Sequence, residues 1–465
     1  MSVRSTLKNQ RFFLNAFTSL FLVCIVVNSA PAAVIKAKSC SLNDVKTALA
    51  SASPGDVISL PAGSSTWSGP LSIDKSNITI QGNGIGSTII SGSGMLFTTR
   101  GESASGLRIT DIELRMCKQC IYEYGSGTPR QAIKNFRFDH CKFVNAYIVL
   151  ETNGAATGVI DHCEFVDTYA ARLYGSNDAS AKFPVKLGTS DAIFVEDNTV
   201  TVTSKGTPPH FIASNSWSKY VVRHNTFNYG KSLWDIIDAH GYCEVSGRGS
   251  ATWEIYDNTF NLVPTIDRVI HLRGGQGVVY NNNFLNYKPS RAITITDYSY
   301  CNPPCVQSCS KYPCKDQINN SFFWNNKINA ASTNPVSNCN LVKLDRDYYN
   351  APMQNYTPYE YPHPLTKKMG SIPTKTRELT SAKSFNMALQ PSVNSTLISY
   401  NLVESAPVQI SIYNVNGTLV KTLLNKTLSS GNHSVKWNTK NVSKGVYLIK
   451  TKIGHETFSH TITKQ

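Results

Sequence analysis

The sequence predicts an all-β protein built as a right-handed parallel β-helix (a solenoid), followed by a small C-terminal β-sandwich. Two observations predict this fold. Between residues 136 and 328, a motif of β-forming residues, then Asp, Asn or His, then a small residue and an apolar residue recurs. The last 80 residues instead alternate apolar and polar positions, with turn residues between the runs. That pattern is typical of short antiparallel strands.

The recurring motif has the spacing of a solenoid. Its closing apolar residues are separated by 22, 35, 27, 33, 24 and 44 positions, so the coils share a core segment and differ in loop length. Asn, Asp and His suit the corner between two short strands because they tolerate the left-handed backbone conformation. His140, His162 and His224 occupy such corners and are predicted to be turn formers. The copies of the motif are residues 136–143, 159–165, 193–200, 221–227, 253–260, 278–284 and 322–328.

The segment before the first motif fits the beginning of this solenoid. Ser41 can cap an amphipathic helix that runs to Ala52 and covers the open first coil. Residues 57–63 then begin the strands. Together with residues 78–84, this opening resembles the pectate-lyase-like superfamily of parallel β-helix proteins. The resemblance covers residues 40–365 and implies the fold, which supports many different activities.

The chain divides into four segments. A basic start, an apolar stretch and small residues predict a signal peptide over residues 1–33. The solenoid is predicted over residues 34–365, a polar and basic linker over 366–385, and the β-sandwich over 386–465. Beyond the signal, no stretch is apolar enough to span a membrane. We therefore expect an exported monomer without a membrane span.

The C-terminal segment carries a second resemblance. Tyr413 with Gly417 four residues later, followed by Gly-Val-Tyr-Leu at residues 445–448 and a final strand, is similar to the sorting domain of type IX secretion. The resemblance implies that the secretion machinery is a partner. It also implies a secreted or cell-surface location.

Charge and cysteine content narrow the function classes. The formal net charge is +15, but it is concentrated in the signal, the linker and the β-sandwich, so residues 34–365 are nearly neutral. This distribution argues against nucleic acid as a partner. Export to an oxidising compartment favours pairing of most of the cysteines, and Cys117 and Cys120 are predicted to form a local disulfide.

A candidate site lies on the outward face of two neighbouring predicted strands, residues 236–240 and 269–273. Alternation of side chains places Asp238 and His240 outside in the first strand, and His271 and Arg273 outside in the second. Neighbouring parallel strands are about 4.8 Å apart, so the four side chains form a compact polar square. Packed ionisable groups shift one another's pKa, which suits acid–base chemistry.

Residues around the square are predicted to bind substrate. Arg248, in the loop after the first strand, can reach over the square. Lys186 is placed on the same face by a predicted strand over residues 185–188. Trp234 and Tyr242 are predicted to bind sugar as well. In a non-catalytic protein that binds glycan or another cell, aromatic residues would matter more than the square: Trp217, Trp234, Tyr242 and Tyr298.

The predicted function is a secreted polysaccharide lyase that cleaves a uronate-containing polysaccharide by β-elimination. The reaction requires a neutralised carboxylate, removal of the C5 proton and protonation of the leaving oxygen. Arg273 or Arg248 can bind the carboxylate bidentately. His240 or His271 can act as the base, oriented by Asp238.

Two other chemistries remain open. A glycoside hydrolase needs two carboxyl groups about 5–9 Å apart, for which Asp238 with Asp235 or Asp267 is available. Asp238, His240 and His271 also fit a metal site of two histidines and one carboxylate. The superfamily resemblance implies Ca²⁺ as a candidate cofactor, although only Asp235 and Asp238 are acidic nearby.

Overall fold

The structure is a computed structural model, and its chain divides into two compact units, one up to Glu378 and one from Leu379. The described residues are 32–127, 130–175, 185–203, 210–230, 235–241, 248–263, 266, 268–288, 291–296, 316–338, 342–368, 376–377, 387–392, 394–402, 405–414, 418–453 and 456–464.

The first unit is the predicted right-handed parallel β-helix. Its strands form three sheets of 13, 11 and 10 strands, parallel except for the last pair of the 11-stranded sheet. We call them sheets 1, 2 and 3 in the order in which a coil visits them. Strands on successive coils pair in register, so equivalent residues of neighbouring coils stack along the solenoid axis. The fold class predicted from the sequence is confirmed.

The strands of the solenoid are short. Sheet 1 contains Val34–Lys36, Val57–Ser59, Thr79–Gln81, Arg108–Thr110, Phe136–Asp139, Gly158–Asp161, Ile193–Glu196, Lys219–Arg223, Thr252–Tyr256, Gln276–Tyr280, Ser321–Trp324, Tyr348–Tyr349 and Thr376–Arg377. Sheet 2 contains Gly63–Thr66, Thr88–Ser91, Glu113–Arg115, Lys142–Val144, Glu164–Val166, Thr199–Val202, Thr226–Tyr229, Thr259–Asn261, Asn283–Leu285, Lys327–Ile328 and Ala331–Ser332. Sheet 3 contains Leu71–Ile73, Met95–Arg100, Gln119–Tyr124, Ile148–Asn153, Ala171–Tyr174, Ile212–Asn215, Ile237–Ala239, Ile270–Leu272, Ile293–Ile295 and Val336–Ser337.

Helices are few among the described residues. An α-helix over Leu42–Ser51 packs its buried face against the first coil, and the side chain of Ser41 accepts a hydrogen bond from the Asp44 amide at its N-terminus. This is the helix predicted at the start of the solenoid. A 3₁₀-helix spans Gly101–Ala104, and a short α-helix spans Pro364–Lys368.

The corners between sheets 1 and 2 follow the sequence prediction. His140, His162 and His224 have φ angles of 50°, 52° and 56°, so each turns the chain in the left-handed conformation. Just beyond the corners, buried asparagines stack in a ladder in which side-chain amides donate to the asparagine of the next coil. The ladder consists of Asn198, Asn225, Asn258, Asn282 and Asn326.

The outer face of sheet 1 is covered by a segment that we call the strap, residues 359–366. The buried guanidinium of Arg223 pairs with the buried carboxylate of Glu196. It also donates to the strap carbonyls of Tyr359 (2.7 Å) and Glu360 (2.8 Å). The His363 amide donates to Glu196 at 2.7 Å. The strap therefore seals this ion pair from solvent.

The predicted linker is not entirely free of structure. Within residues 366–385, Thr376 and Arg377 pair in parallel with Val34 and Ile35 at the beginning of sheet 1. The remaining described residues of that segment belong to the end of the helix over Pro364–Lys368.

The second unit is a small antiparallel β-sandwich, as predicted. A sheet of three strands contains Met387–Ser392, Ser395–Leu402 and Gly431–Asn438. A sheet of four strands contains Ala406–Asn414, Leu419–Leu428, Gly445–Ile453 and Glu456–Lys464. Ile398, Ile410, Trp437 and Ile449 lie in its buried core.

The predicted local disulfide is confirmed, but the expected pairing of most cysteines is not seen among the five described ones. Cys117 and Cys120 form a disulfide, whereas Cys40, Cys141 and Cys163 are buried free thiols. The four cysteines between positions 301 and 314 lie outside the described residues. The predicted signal peptide does so too, apart from positions 32 and 33. In the described part of the chain, no helix has the length and apolar character needed to cross a membrane.

Candidate active site

The two strands of the predicted square pair in the register that the sequence indicated. Asp238 lies directly opposite His271 in sheet 3, and Ile237 and Ala239 are buried in the solenoid core. The amide of Arg273 donates to the carbonyl of Ala239 at 2.9 Å, which continues the pairing beyond the strand ends. Sheet 3 therefore presents the square on its outer face.

Asp238 is the centre of the cluster and is almost completely buried. The guanidinium of Arg273 binds its carboxylate bidentately, with Nε at 3.0 Å from Oδ1. His240 Nε2 lies 2.7 Å from Oδ2, and His271 Nδ1 lies 3.7 Å from Oδ1. Burial alone would raise the pKa of Asp238, but the charges of His240 and Arg273 outweigh it and hold that pKa well below its usual range. Asp238 is thus an ionised carboxylate that organises its neighbours.

Both ring nitrogens of His271 already have polar partners. Its Nδ1 lies 3.2 Å from Asp235 Oδ2, and its Nε2 lies 2.6 Å from the Thr296 hydroxyl. Asp235 is buried and also pairs with Arg268, whose Nε lies 2.8 Å from Oδ1. A ring nitrogen that already has a partner cannot accept a substrate proton without breaking that contact.

A cleft of about 260 Å³ opens beside the square on the outer face of sheet 3. His240 is the member of the predicted square that lines it. The other lining residues were not singled out from the sequence. They are Tyr169, Arg172, Tyr174, His210, Ala213, Ser214 and Asn215.

His210 is fixed in one orientation at the edge of the cleft. Its Nδ1 lies 3.3 Å from the backbone carbonyl of Asp235, which can only accept a hydrogen bond, so Nδ1 carries the proton. Its Nε2 lies 3.9 Å from Asp238 Oδ2. Burial lowers the pKa of His210 in spite of the nearby carboxylates of Asp238 and Asp235. The neutral imidazole therefore offers the lone pair of Nε2 as a base near neutral pH.

Arg172 supplies the positive charge of the cleft. It points outward from the strand Ala171–Tyr174, and its partner in the next coil is the small residue Ala213, which leaves space above the guanidinium. The guanidinium lies over the rings of Tyr147 and Tyr169, 5.9 Å and 5.8 Å from their centroids. Glu151 is 3.8 Å away. Arg172 is positioned to bind an anionic group that enters the cleft.

Lys186 does not lie where the sequence predicted it. The prediction of a strand over residues 185–188 on this face is wrong, because Ala171–Tyr174 pairs directly with Ile212–Asn215. Lys186 lies instead in a loop whose Gly188 amide donates to Glu254 of sheet 1. Trp234, Tyr242, Asp267 and Tyr298 lie outside the described residues.

Arg248 is also not directed at the square. Its Nε lies 2.8 Å from both carboxylate oxygens of Asp316, and its guanidinium lies 3.9 Å from the centroid of the Trp217 ring. The carboxylate of Asp316 has a side-chain exposure of 1%. Both interactions turn the positive charge of Arg248 towards the corner that follows sheet 3.

A metal-binding arrangement exists but differs from the predicted one. His210, Asp235 and Asp238 each offer a ligand atom within 4.8 Å of the others. Ca²⁺ usually takes about six to eight oxygen ligands, and these three residues supply only two carboxylates and an imidazole. Arg268 and Arg273 already neutralise the two carboxylates. The described residues at this site therefore do not fit calcium.

The C-terminal unit has a recognisable family. Residues 390–465 match the model of the secretion system C-terminal sorting domain. This finding agrees with the resemblance seen in the sequence, and it indicates export, with secretion or attachment to the cell surface. No curated protein matches the chain.

Solved structures with a related fold carry different activities. An alginate lyase from a Paenibacillus species is 12% identical, with 68% of this chain and 98% of that chain covered and a TM-score of 0.43. A GH87 alpha-1,3-glucanase from Streptomyces thermodiastaticus is 14% identical, with 69% of each chain covered and a TM-score of 0.36. A mannuronan C-5 epimerase module from Azotobacter vinelandii is 14% identical, with 63% of this chain and 92% of that chain covered and a TM-score of 0.25. These similarities assign no activity to the chain.

Proposed function

We propose that the protein is a secreted polysaccharide lyase, which cleaves a uronate-containing polysaccharide by β-elimination in the cleft on sheet 3. The observation that carries the proposal is the composition of the cleft. A neutral histidine, an arginine and two tyrosines line it, while the neighbouring carboxylates of Asp235 and Asp238 are buried beneath and paired with arginine. The sorting domain supports a substrate outside the cell.

Each requirement of β-elimination has a residue in the cleft. Arg172 binds the carboxylate of the uronate and stabilises the negative charge that develops on it when the C5 proton leaves. His210 Nε2 takes that proton. The electron pair of the C5–H bond forms the C4–C5 double bond, and the bond from C4 to the bridging oxygen breaks. The Tyr174 hydroxyl gives its proton to the departing oxygen.

The predicted square acts beneath this chemistry. Asp238 binds His240, which lines the cleft, and it lies near His210. Arg273 keeps Asp238 ionised. In this assignment Asp238, His271 and Arg273 are positioning residues, and His240 is the member of the square that can touch the sugar.

The same geometry disfavours a glycoside hydrolase. Hydrolysis needs one carboxylic acid to protonate the leaving oxygen and a second carboxylate, about 5–9 Å away. None of the described residues that line the cleft is acidic. Asp238 lies below the cleft with its pKa well below the usual range, because Arg273 and His240 overcome the effect of burial. It cannot supply a proton near neutral pH.

The experiment that tests this function combines a product assay with matched histidine variants. The protein is incubated with pectate, alginate and glucuronan, and the ultraviolet absorbance of unsaturated uronate ends is followed. His210→Ala is expected to lower kcat/KM by about 10²- to 10⁴-fold, the usual contribution of a general base. His162→Ala, at a half-exposed corner remote from the cleft, is the control and should retain activity.

Two results would contradict the proposal. One is an absence of absorbance change with all three polymers. The other is an equal loss of activity in His210→Ala and His162→Ala, which would show that His210 is not the base.

A further inference from the structure

A second cavity of about 290 Å³ lies at the corner between sheet 3 and sheet 1, away from the proposed base. Its floor and walls contain the apolar side chains of Leu173, Ile193 and Ala156. Its charged lining residues are three basic ones, Arg130, Lys134 and Lys219, and two acidic ones, Glu102 and Asp191. The volume is at the lower end of small-molecule sites, which are about 300–1,000 Å³, and suits a ligand of about one sugar ring.

Two buried polar groups among the lining residues form no hydrogen bond with any residue that the structure describes. They are the indole Nε1 of Trp217 and the hydroxyl of Ser218. Ser218 is 6% exposed. A buried donor without a partner costs about 1–3 kcal/mol, so each such group calls for an explanation, and a bound molecule is one. Both groups would be satisfied by the oxygens of a bound ligand.

The indole of Trp217 is held rigidly in the wall of the cavity. Ser216 and Trp217 both have positive φ angles, 56° and 69°, which is unusual for residues with side chains. Their amides donate to the carbonyls of Arg248 and Gly249, each at 2.7 Å. The Arg248 guanidinium packs on the ring and is itself fixed by the buried carboxylate of Asp316. This clamp stabilises a strained backbone that sets the indole beside the cavity.

We propose that this cavity is a binding site for a single uronate residue, separate from the cleft. The apolar C–H face of a pyranose packs against the apolar floor of the cavity, with the edge of the indole beside it. Its hydroxyl oxygens accept hydrogen bonds from Trp217 Nε1 and the Ser218 hydroxyl. Its carboxylate binds beside Lys134 and Lys219. The choice of a uronate rests on the proposed function, because the same acidic polymer supplies the ligand.

The ammonium groups at the rim favour an acidic sugar over a neutral one. Lys219 pairs with Asp191, and Lys134 donates to the Ala155 carbonyl, so both are held at fixed positions. Burial lowers the pKa of Lys134, against the raising effect of the nearby Asp191 carboxylate. A carboxylate that enters the cavity would favour the protonated lysine and gain an ion pair away from bulk water.

The test is calorimetric titration of the full chain with D-galacturonate and D-glucuronate, with D-glucose as the neutral control. Monosaccharides have no bond to cleave, so binding is measured without turnover. Trp217→Ala is expected to weaken uronate binding at least 10-fold, whereas Arg115→Met, on sheet 2 and outside both sites, should leave it within about 2-fold. Glucose should bind at least 10-fold more weakly than either uronate.

Ser218→Ala keeps the test decisive if Trp217→Ala does not fold. It removes an unpaired buried hydroxyl, so it should not lower the unfolding midpoint, yet it should weaken uronate binding about 3- to 10-fold. The proposal is overturned if uronate binds Trp217→Ala or Ser218→Ala as tightly as the parent, or if glucose binds as tightly as either uronate. Lyase activity is assayed separately, so loss of the proposed function and loss of this site give different results.

Discussion

Two outer faces of the same solenoid carry clusters of arginine, carboxylate and histidine, yet their surroundings differ. On sheet 1, Arg223 and Glu196 are sealed by the strap, whose backbone supplies carbonyls to the arginine and an amide to the carboxylate. On sheet 3, Asp238 pairs with Arg273, whose side chain is 13% exposed, and among the described residues a cleft opens beside this pair. His210 and Arg172 therefore stay accessible at that cleft.

The difference shows that a cluster of charges does not by itself mark an active site. Both clusters come from parallel strands in register, and in both a carboxylate pairs with a guanidinium. Where backbone groups complete the hydrogen bonds, the cluster stabilises the fold. Where a cleft lined with titratable side chains adjoins the cluster, the ion pair can position them for chemistry.

The largest expected effect is on the covered face. Arg223→Met leaves the Glu196 carboxylate and two strap carbonyls without their donor, so we expect the free energy of unfolding to fall by about 3–5 kcal/mol. Urea unfolding monitored by circular dichroism measures this loss. At a low temperature at which Arg223→Met remains folded, it should cleave substrate at nearly the parental rate. A stable but inactive Arg223→Met would remove the distinction between the two faces.

The reverse pattern is expected on the open face. Arg172→Met removes the proposed carboxylate partner, and loss of a charge-assisted hydrogen bond of about 1.5–3 kcal/mol corresponds to a drop of about 10- to 100-fold in kcat/KM. The side chain is partly exposed, so the unfolding midpoint should change little. Arg115→Met, on sheet 2, is the matched control and should leave kcat/KM unchanged. If Arg172→Met lowers stability without lowering activity, Arg172 is structural.

The smallest expected effect is a pH dependence of the free energy of unfolding that arises from His363 in the strap. Burial, together with the nearby charge of Arg223, lowers the pKa of His363 to about 4. The unfolded chain binds this proton near its ordinary pKa of about 6.5, so the contribution of His363 to stability is complete above that pH. It is lost as the pH falls towards 4.

His363→Asn tests this dependence. Urea midpoints measured between pH 7 and pH 4 should fall less steeply in the variant than in the parent. Parallel curves for the two proteins would mean that the strap histidine does not remain neutral in the folded state.

Much of the fold could be predicted from the sequence because its signals are local. The corner motif repeats at short range, and stacking of equal coils converts it into ladders such as that of Asn225 and Asn258. Alternation within a strand also placed Asp238 opposite His271, since the side-chain period of a strand is two. These relations depend on neighbouring coils alone.

The residues of the cleft are harder to predict from the sequence than the fold, because the position of each strand in sheet 3 depends on the lengths of the loops before it. The sequence prediction places the strand of this coil at residues 185–188 instead of Ala171–Tyr174. It therefore puts Lys186 on the outer face of sheet 3 and leaves Arg172 out. His210 lies just before a strand, in no corner motif, and its role depends on a contact with the carbonyl of Asp235. Alternation of Ala171, Arg172, Leu173 and Tyr174 was the signal that could have found the arginine.

The fate of solvent oxygen tests the central claim most directly. The polymer that the protein cleaves is digested in water enriched in ¹⁸O, and the oligosaccharide products are analysed at once by mass spectrometry. β-Elimination breaks the bond between C4 and the bridging oxygen without adding water, so we predict no ¹⁸O in either product and a double bond at one new end. Incorporation of one ¹⁸O atom per cleavage, with no unsaturated product, would show hydrolysis and contradict the account.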